Sequence, residues 1–176
     1  LVQVVCGEGP DVGGPMLSNA DYVMFTGSTA TGRLIGELAG KNLIGACLEL
    51  GGKNPMVVLE DANVDEAVEA AIFGAFGNSG QICIAPDYAL VEAPVRDQLV
   101  DKIRAAVETF EAENTGGKRI VNERHFNRLV SALAATKGNV VLGGGSDPAT
   151  LKIQPTVVVD PDPAEPLMTD EIFGPI

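Results

Sequence analysis

The chain has 176 residues, 45% of them hydrophobic and 20% charged, which is long enough for one domain or parts of two and too apolar for wholesale disorder. Its 12 basic and 24 acidic residues give a formal net charge of -12. A chain of this charge repels phosphate backbones and anionic lipid headgroups, so we expect neither nucleic acid nor a membrane as a partner.

Cysteine usage points to a reducing compartment. The three cysteines, Cys6, Cys47 and Cys83, cannot all pair within the chain, and none belongs to a Cys-x-x-Cys motif. This argues against a disulfide scaffold and against a structural zinc site, so we predict no metal. No cleavable leader is recognisable, and we predict a cytoplasmic location. Because the chain starts at Leu1 without a methionine and stops at Ile176 in a loop-like sequence, we expect a piece of a longer protein.

The first half of the chain alternates short apolar runs with segments of helical spacing. Glycines and prolines separate them, as expected at turns. This alternation predicts an α/β layered fold with a largely parallel sheet. The predicted elements are a strand over 1–5 that enters a turn over 6–10, a strand over 22–26, a helix over 28–39, strands over 46–50 and 55–59, and a helix over 63–76.

The second half continues with longer helices and shorter strands. A glycine-rich turn over 77–80 leads to Cys83, and Pro155 limits ladder hydrogen bonding in the last predicted strand. The only histidine, His125, lies among Arg and Asn residues, where we expect a solvated helix face. The predicted elements are a strand over 88–92, helices over 95–111 and 124–137, and strands over 139–142 and 153–159 on either side of a turn over 143–145.

Residues 25–32, FTGSTATG, combine a strand end, a glycine turn and a helix start. Such a junction directs backbone N–H groups and the positive helix end at one spot, which suits a phosphate, and glycine lets a ligand approach the backbone closely. The spacing is neither G-x-G-x-x-G nor the P-loop pattern. An ordinary strand-to-helix junction capped by Ser or Thr is therefore an open alternative.

Two side chains are candidate catalytic groups. Glu49 lies between two leucines at a predicted strand end, where burial in a low dielectric would suit a general base; pairing with Lys53 or exposure to solvent is the alternative. Cys83 follows a glycine-rich turn, where an accessible thiol and nearby N–H groups suit a nucleophile; a buried small hydrophobe is the alternative. For Cys6 and Cys47, each within an apolar run, we predict burial.

Four motifs taken together resemble the aldehyde dehydrogenase superfamily over all 176 residues. They are FTGSTATG at 25–32, LELGGKNP at 48–55, GQICIAP at 80–86 and EIFGP at 171–175, in the family's order. The resemblance implies part of a doubly wound nucleotide-binding sheet followed by an α/β catalytic domain. Residues 1–50 would be the second half of an NAD(P)-binding domain, and residues 51–176 an incomplete catalytic domain.

The resemblance also implies an oxidoreductase that converts an aldehyde to a carboxylic acid with NAD or NADP. Cys83 matches the nucleophile that forms a thiohemiacetal and then a thioester, and Glu49 matches the base that activates water. A small-molecule aldehyde and, for the full-length protein, a second copy of the chain are the implied partners. The positions that match cofactor-binding residues are Gly27, Ser28, Gly32, Leu50, Glu171 and Phe173.

Substrate and activity stay open on the sequence. CIAPDY at 83–88 and RIVNERHF at 119–126 resemble the branch acting on medium- to long-chain aliphatic and aromatic aldehydes, whereas 25–33 and 49–55 equally resemble bacterial succinate-semialdehyde enzymes. Glu49 argues against the acylating branch. Because a typical member is more than twice as long, we expect the isolated 176-residue chain to be inactive. The alternative function is that of an inactive fragment or a non-catalytic subunit. Such a piece would expose an open sheet edge and an apolar face, which predicts poor solubility.

Overall fold

The computed structural model describes residues 2–113 and 118–176, and the chain divides into two compact units, Leu1–Gly51 and Gly52–Ile176. The elements of the first unit are α1 (Gly9–Ser18), β1 (Tyr22–Gly27), α2 (Thr29–Asn42) and β2 (Gly45–Leu50). Strands β1 and β2 pair in parallel and α2 packs against both, because a crossover helix returns the chain to the same end of the sheet.

The second unit joins a parallel strand pair to two antiparallel pairs. Its elements are β3 (Asn54–Val58), α3 (Val64–Ala71), β4 (Pro86–Val91), α4 (Ala93–Glu113), α5 (Glu123–Ala135), β5 (Asn139–Leu142), β6 (Ser146–Asp147), β7 (Lys152–Ile153), β8 (Val157–Val159) and α6 (Pro166–Thr169). Strands β3 and β4 are parallel, with α3 between them in sequence. Strands β5 and β8, and the hairpin β6–β7 that they enclose in sequence, are antiparallel because no helix separates them.

Two apolar clusters form the core of the second unit. The first packs α3 and α4 against β3, with Val58, Leu99 and Val107 almost fully buried. The second gathers around α5, where Leu129 and the nearby Ile120 are fully buried. Helices with one apolar face are stabilised in this way mainly by packing, so these clusters fix the positions of the loops between them.

The α/β fold class predicted from the sequence is confirmed. The predicted strands over 22–26, 46–50, 55–59, 88–92 and 139–142 are present within one or two residues, as are the helices over 95–111 and 124–137. The helix predicted over 28–39 is present and ends three residues later, at Asn42. The parallel arrangement holds for the two longer strand pairs, β1–β2 and β3–β4. It fails for the pairs formed by residues 139–159, where short turns replace crossover helices.

The N-terminal segment differs from the prediction. Residues 2–5 form no strand, since they pair with no other strand among the described residues, and Val2 and Val4 are 93% and 84% exposed. Leu1, the first residue of the predicted strand, lies outside the described residues. Cys6 is exposed as well, so the prediction that it is buried is wrong. An apolar run forms a strand only where a neighbour satisfies its backbone groups.

Helix α1 was not predicted from its glycine- and proline-rich sequence. The helix begins at Gly9, with Pro10 in its first turn and Asp11 near its positive end. Proline suits that position because the first helical N–H groups have no partner within the helix, and an acidic side chain there interacts favourably with the helix dipole. The predicted turn over 6–10 is therefore correct only for its first part.

Two predicted elements are interrupted. The helix predicted over 63–76 is regular only to Ala71 and ends in a π-helical turn over Ile72–Phe76. The strand predicted over 153–159 is divided between β7 and β8, because Pro155 has no N–H for the ladder. There the buried Thr156 hydroxyl accepts a hydrogen bond from the Gly144 N–H at 2.9 Å and donates to a carbonyl at 2.7 Å.

No helix within residues 2–113 and 118–176 combines the length and the apolar composition needed to cross a membrane.

Candidate active site

Ser28 caps the helix that follows β1. Its Oγ accepts a hydrogen bond from the Thr31 N–H at 3.2 Å, and its carbonyl accepts one from the Gly32 N–H at 2.8 Å. The N–H groups of a first helical turn lack partners within the helix and carry the positive end of its dipole. This junction therefore has the geometry of an anion site as well as that of an ordinary capped helix.

Gly32 and Leu50 are in direct contact in the first unit. A Cβ on Gly32 would lie 2.4 Å from Leu50 Cδ2, so a larger residue here would require the Leu50 side chain to shift. Gly27 is the last residue of β1 and pairs with Leu50 in the sheet register. Four predicted cofactor residues, Gly27, Ser28, Gly32 and Leu50, thus lie together at the carboxyl ends of parallel strands, where α/β folds bind ligands.

Glu49 lies beside Thr26 in the β1–β2 register, and its side chain is exposed. Burial in a low dielectric is therefore not observed, and the solvent-facing alternative describes the residue in this unit. Its Oε1 lies 4.0 Å from the Sγ of Cys47, two residues earlier on the same strand face. Cys47 is half-exposed because it shares that face, so its predicted burial is wrong.

Cys83 follows the irregular turns that end α3. After the π-helical turn, the backbone bends sharply over Gly77–Gly80, where Asn78, Ser79 and Gly80 have left-handed φ values of 53°, 56° and 67°. The thiol of Cys83 is exposed, as its position after the turn predicts. Three consecutive left-handed residues form no regular ladder, so the shape of this turn must come from other contacts.

Asn54 fixes the backbone on the downstream side of Cys83. Its Nδ2 donates hydrogen bonds to the carbonyl oxygens of Cys83 at 2.9 Å and of Ala85 at 3.0 Å. A Cβ on Gly52 would lie 2.9 Å from both the Asn54 Nδ2 and the Cys83 oxygen, so glycine is needed for this approach. Residues 52–54 of the LELGGKNP motif therefore support the turn that carries the cysteine.

The 171–175 segment packs against the same turn. A Cβ on Gly80 would lie 2.1 Å from the Gly174 oxygen, so the two backbones are in direct contact. The Oε1 of Glu171 accepts a hydrogen bond from the Gly52 N–H at 3.4 Å, and Phe173 is half-buried. The second unit thus brings Cys83, Glu171 and the short segment carrying Phe173 into one neighbourhood.

Arg128 and Asp87 hold the backbone of that segment from two sides. Arg128, on α5, donates hydrogen bonds to the carbonyl oxygens of Glu171, at 3.0 Å, and of Ile172. The Oδ1 of Asp87 accepts a hydrogen bond from the Ile172 N–H at 3.3 Å. The other oxygen of Asp87, Oδ2, is buried and has no hydrogen-bond partner among the described residues.

Burial dominates the electrostatics of this neighbourhood. It raises the pKa of Glu171 and of Asp87 above their usual values, while the positive charges of Lys53 and Arg128 oppose the rise. Burial also lowers the pKa of Lys53, which the carboxylate of Asp87 opposes. The ammonium group of Lys53 donates to the Leu167 carbonyl at 2.6 Å, which gives it a partner within the second unit.

His125 does not lie on a fully solvated face, so that prediction is wrong. The residue is half-buried, and its Nδ1 is buried without a hydrogen-bond partner in the described part of the chain. Burial lowers the pKa of the imidazole, and the charges of Arg128 and Arg124 lower it further. Within the described ranges, no group of three or more His, Cys, Asp or Glu side chains is placed to hold a metal ion.

The predicted site residues are divided between the two units, and four supporting residues were missed. Glu49 and the four residues at the β1–α2 junction belong to the first unit, whereas Cys83, Glu171 and Phe173 belong to the second. Asn54, Gln81 and Asp87 stand inside quoted motifs, so their polar side chains were the available signal. The missed residues are Asn54, Gln81, Asp87 and Arg128.

The parallel strand pairs and their crossover helices define an α/β protein, with a capped glycine turn in the first unit and an exposed thiol on a constrained turn in the second. The comparisons with known proteins are specific. The chain belongs to the aldehyde dehydrogenase family, whose model matches residues 1–176.

Relatives of this chain are much longer than the chain itself. Aldehyde dehydrogenase family 3 member A2 of Rattus norvegicus is 44% identical over 160 residues, which are 89% of this chain and 33% of that protein. The dimeric NADP-preferring aldehyde dehydrogenase of Mus musculus is 38% identical over 180 aligned residues, covering 100% of this chain and 39% of its own length. A solved structure of the substrate-bound state of Staphylococcus aureus AldH matches with a TM-score of 0.88 and 36% identity, covering 96% of this chain and 38% of that one. The chain therefore spans 33–39% of these relatives.

Proposed function

We propose that this protein works as an NAD(P)-dependent aldehyde dehydrogenase, an oxidoreductase that converts an aldehyde to a carboxylic acid. The observation that carries the proposal is the exposed thiol of Cys83 on a turn that Asn54 and the 171–175 segment hold in place. Membership of the family supports the same reaction. An accessible sulfur on a fixed backbone is what a nucleophile needs, because a loose one loses the advantage of orientation.

In this proposal the sulfur of Cys83 attacks the aldehyde carbon, and its own backbone N–H donates to the oxyanion that forms. The chemistry that NAD(P)+ supplies when bound is acceptance of the hydride from that carbon. The acyl group then remains as a thioester of Cys83. Glu49 takes a proton from a water molecule, whose oxygen attacks the thioester, and the carboxylic acid leaves as the thiol is restored. The exposure of Glu49 in the first unit leaves its carboxylate free to reach water.

The residues of the first unit fit a dinucleotide. Gly32 has no side chain and lies against Leu50 near the start of α2, so the helix start presents bare backbone at the carboxyl ends of the strands. We assign Gly27, Ser28, Gly32 and Leu50 to the cofactor. Backbone donors suit this chain because its net charge of -12 offers few cationic side chains for phosphate.

Glu171 and Phe173 are proposed as the residues that contact the nicotinamide-side ribose and the ring. Their support is the packing of their segment on the turn that leads to Cys83. Residues 1–50 are accordingly proposed as the second half of the NAD(P)-binding domain, and residues 51–176 as an incomplete catalytic domain. The division of the chain into compact units after Gly51 supports that assignment.

The substrate class that we propose is medium- to long-chain aliphatic or aromatic aldehydes. Ile82 and Ile84 flank Cys83 and are 38% and 79% exposed, so the thiol has apolar surface on both sides. Apolar surface beside the reacting carbon favours a hydrocarbon substituent over the carboxylate of succinate semialdehyde. We also propose homo-oligomeric assembly and a cytoplasmic location for the whole protein; a dimeric relative supports the former.

Selective alkylation tests the role of Cys83. With limiting iodoacetamide, we expect Cys83 to react about tenfold faster than Cys6, because an activated thiol on a fixed turn outpaces an ordinary one. Cys6 is a matched control, since both thiols are exposed. Mass spectrometry of the labelled peptides gives both rates in one sample. Equal rates for the two cysteines would overturn the assignment.

Turnover with an aldehyde panel and either cofactor separates the enzyme from the inactive alternative. In the Glu49→Gln variant of the complete enzyme we expect the initial burst of reduced nicotinamide to persist, while acid release slows about a hundredfold because water loses its base. Loss of the burst itself would contradict the role of Glu49. Selective alkylation of Cys83 without turnover by the unmodified chain would favour an inactive fragment or a non-catalytic subunit.

A further inference from the structure

We propose that Gln81 is a positioning residue for Cys83, acting through the turn that presents the thiol and the backbone N–H to substrate. This inference rests on the proposed role of Cys83 as the nucleophile. Gln81 does not touch the reacting atoms in this scheme. The irregular turn lacks a regular ladder of backbone hydrogen bonds, and the hydrogen bonds of the Gln81 side-chain amide stabilise it instead.

The amide of Gln81 uses both its donors and its acceptor. Nε2 donates to the carbonyl oxygens of Asn78 and of Arg119, each at 3.1 Å. Oε1 accepts a hydrogen bond from the Val121 N–H at 2.8 Å. A primary amide offers two N–H donors and one carbonyl acceptor, so its orientation here is fully specified. One side chain therefore binds its own turn and a segment about 40 residues further along the chain.

The anchor for this contact is rigid. Arg119 and Val121 lie on either side of Ile120, whose side chain is fully buried in the cluster around α5. The Ile120 N–H donates to the Leu151 carbonyl at 2.8 Å, which ties the same segment to the β6–β7 region. Because a close-packed core resists displacement, the Gln81 amide is held by groups that do not follow local movements of the turn.

Backbone hydrogen bonds restrain the short segment between Gln81 and Cys83. The N–H of Ile82 donates to the Gly80 carbonyl at 3.0 Å, and the N–H of Ala85 donates to the Ile82 carbonyl at 3.0 Å. Asn54 holds the Cys83 carbonyl from the downstream side. Cys83 thus has one bound amide before it and another after it. Removal of the Gln81 contacts weakens only the upstream side, where Ser79, whose hydroxyl donates to the Lys118 carbonyl, and the contact of Gly80 with Gly174 remain.

Two reactions of Cys83 separate positioning from simple exposure. With iodoacetamide, the sulfur displaces iodide and no oxyanion forms. With 4-nitrophenyl acetate, the sulfur attacks the ester carbonyl, the bond to oxygen breaks, 4-nitrophenolate leaves and a thioester of Cys83 remains. Only the second reaction passes through an oxyanion that needs the Cys83 N–H in place. The ratio of acylation to alkylation at Cys83 therefore reports the geometry of the turn.

The variants Gln81→Glu and Gln81→Ala test the proposal in the full chain. Gln81→Glu keeps the shape and the acceptor for Val121 but turns an oxygen toward the two carbonyls that the amide N–H groups bind, whereas Gln81→Ala removes all three contacts. We expect acylation of Cys83 to fall about tenfold or more in each, with alkylation changed less than about twofold. The matched control is Gln154→Glu, because Gln154 is exposed and, among the described residues, its Oε1 accepts only from the Gly145 N–H beside the distant hairpin.

Each outcome of this experiment has a distinct meaning. An unchanged ratio in both Gln81 variants, with the unmodified chain acylated selectively at Cys83, overturns the positioning role and leaves the proposed function intact. Equal losses of acylation and alkylation, together with lost hydrogen-exchange protection around Ile120, indicate a purely structural role and also overturn it. Failure of the unmodified chain to acylate Cys83 faster than Cys6 overturns the proposed function itself.

Discussion

The strand that carries Glu49 and the turn that carries Cys83 are held by different kinds of contact. Glu49 lies on β2, whose position follows residue by residue from its pairing with β1. Cys83 lies on an irregular turn that depends on single groups distant in sequence, such as Asn54, 29 residues before it. Many equivalent hydrogen bonds of the strand pair therefore fix the backbone at Glu49. A few individual side-chain atoms fix the backbone at Cys83.

The largest expected effect comes from adding one methyl group to the turn. In Gly80→Ala, the new Cβ meets the Gly174 oxygen at 2.1 Å, and the residue must keep a φ of 67°. We expect a loss of about 3 kcal/mol in the free energy of unfolding of the second unit, since overpacking and backbone strain add. Hydrogen exchange followed by mass spectrometry should show the loss in peptides of 52–176, while those of the first unit keep their protection.

Gly77→Ala is the matched control for that substitution. Gly77 belongs to the same turn, has a φ of -53° and has nothing within 4 Å of its Cβ position. We expect its effect to stay within about 0.5 kcal/mol. A similar loss in both variants would mean that the turn is sensitive to any side chain, and the contact with Gly174 would not be its cause.

An intermediate effect is expected from Asn54→Ala. The substitution removes both hydrogen bonds to the carbonyls of Cys83 and Ala85, the second of which is partly buried, and we expect a cost of about 2 kcal/mol. Urea denaturation measures the loss. In Asn42→Ala, the deleted amide bonds one exposed carbonyl, that of Leu38 at 2.8 Å, and we expect about 0.5 kcal/mol or less. Equal losses in the two variants would contradict the special position of Asn54.

The smallest effect belongs to the first unit. Ser28→Ala deletes the cap of α2 and its bond to the Thr31 N–H, which costs about 1 kcal/mol. Ser28→Asn keeps a capping oxygen and should retain most of the stability. The comparison is read from hydrogen-exchange protection in β1 and α2, with the second unit as an internal reference. If the two variants behave alike, the cap does not hold this junction.

Elements that depend on local pattern could be predicted from the sequence. The strand over 22–26 and the helix after Ser28 follow from short-range spacing and capping, and the structure agrees with both. The apolar run over 2–5 fails because its strand needed a partner that local pattern does not reveal. The break at Pro155 was anticipated as a limit on ladder bonding, but the buried Thr156 that bridges it was not.

The candidate site shows the same division. The motifs predicted functional roles for Cys83, Glu49 and the β1–α2 junction. Cys83 is exposed, which agrees with its predicted accessibility. The supports of the turn could not be found in this way, because Asn54, Gln81 and Arg128 act through contacts with backbone oxygens far along the chain. A polar residue inside a motif indicates a role, but only the fold shows which carbonyl it binds.

The contacts around the 171–175 segment also affect Phe173, because they hold its backbone in an unfavourable conformation. Its φ of 50° costs a non-glycine residue about 1–3 kcal/mol, so the conformation persists only while its neighbours impose it. Arg128 restrains the backbone that precedes Phe173. Gly174, which follows Phe173, packs closely against the Leu129 side chain. The backbone conformation that carries the ring is thus held by contacts of the residues on both sides. A substitution at Leu129 that lets Gly174 move would allow residue 173 to relax and turn the ring away, without any change to the ring itself.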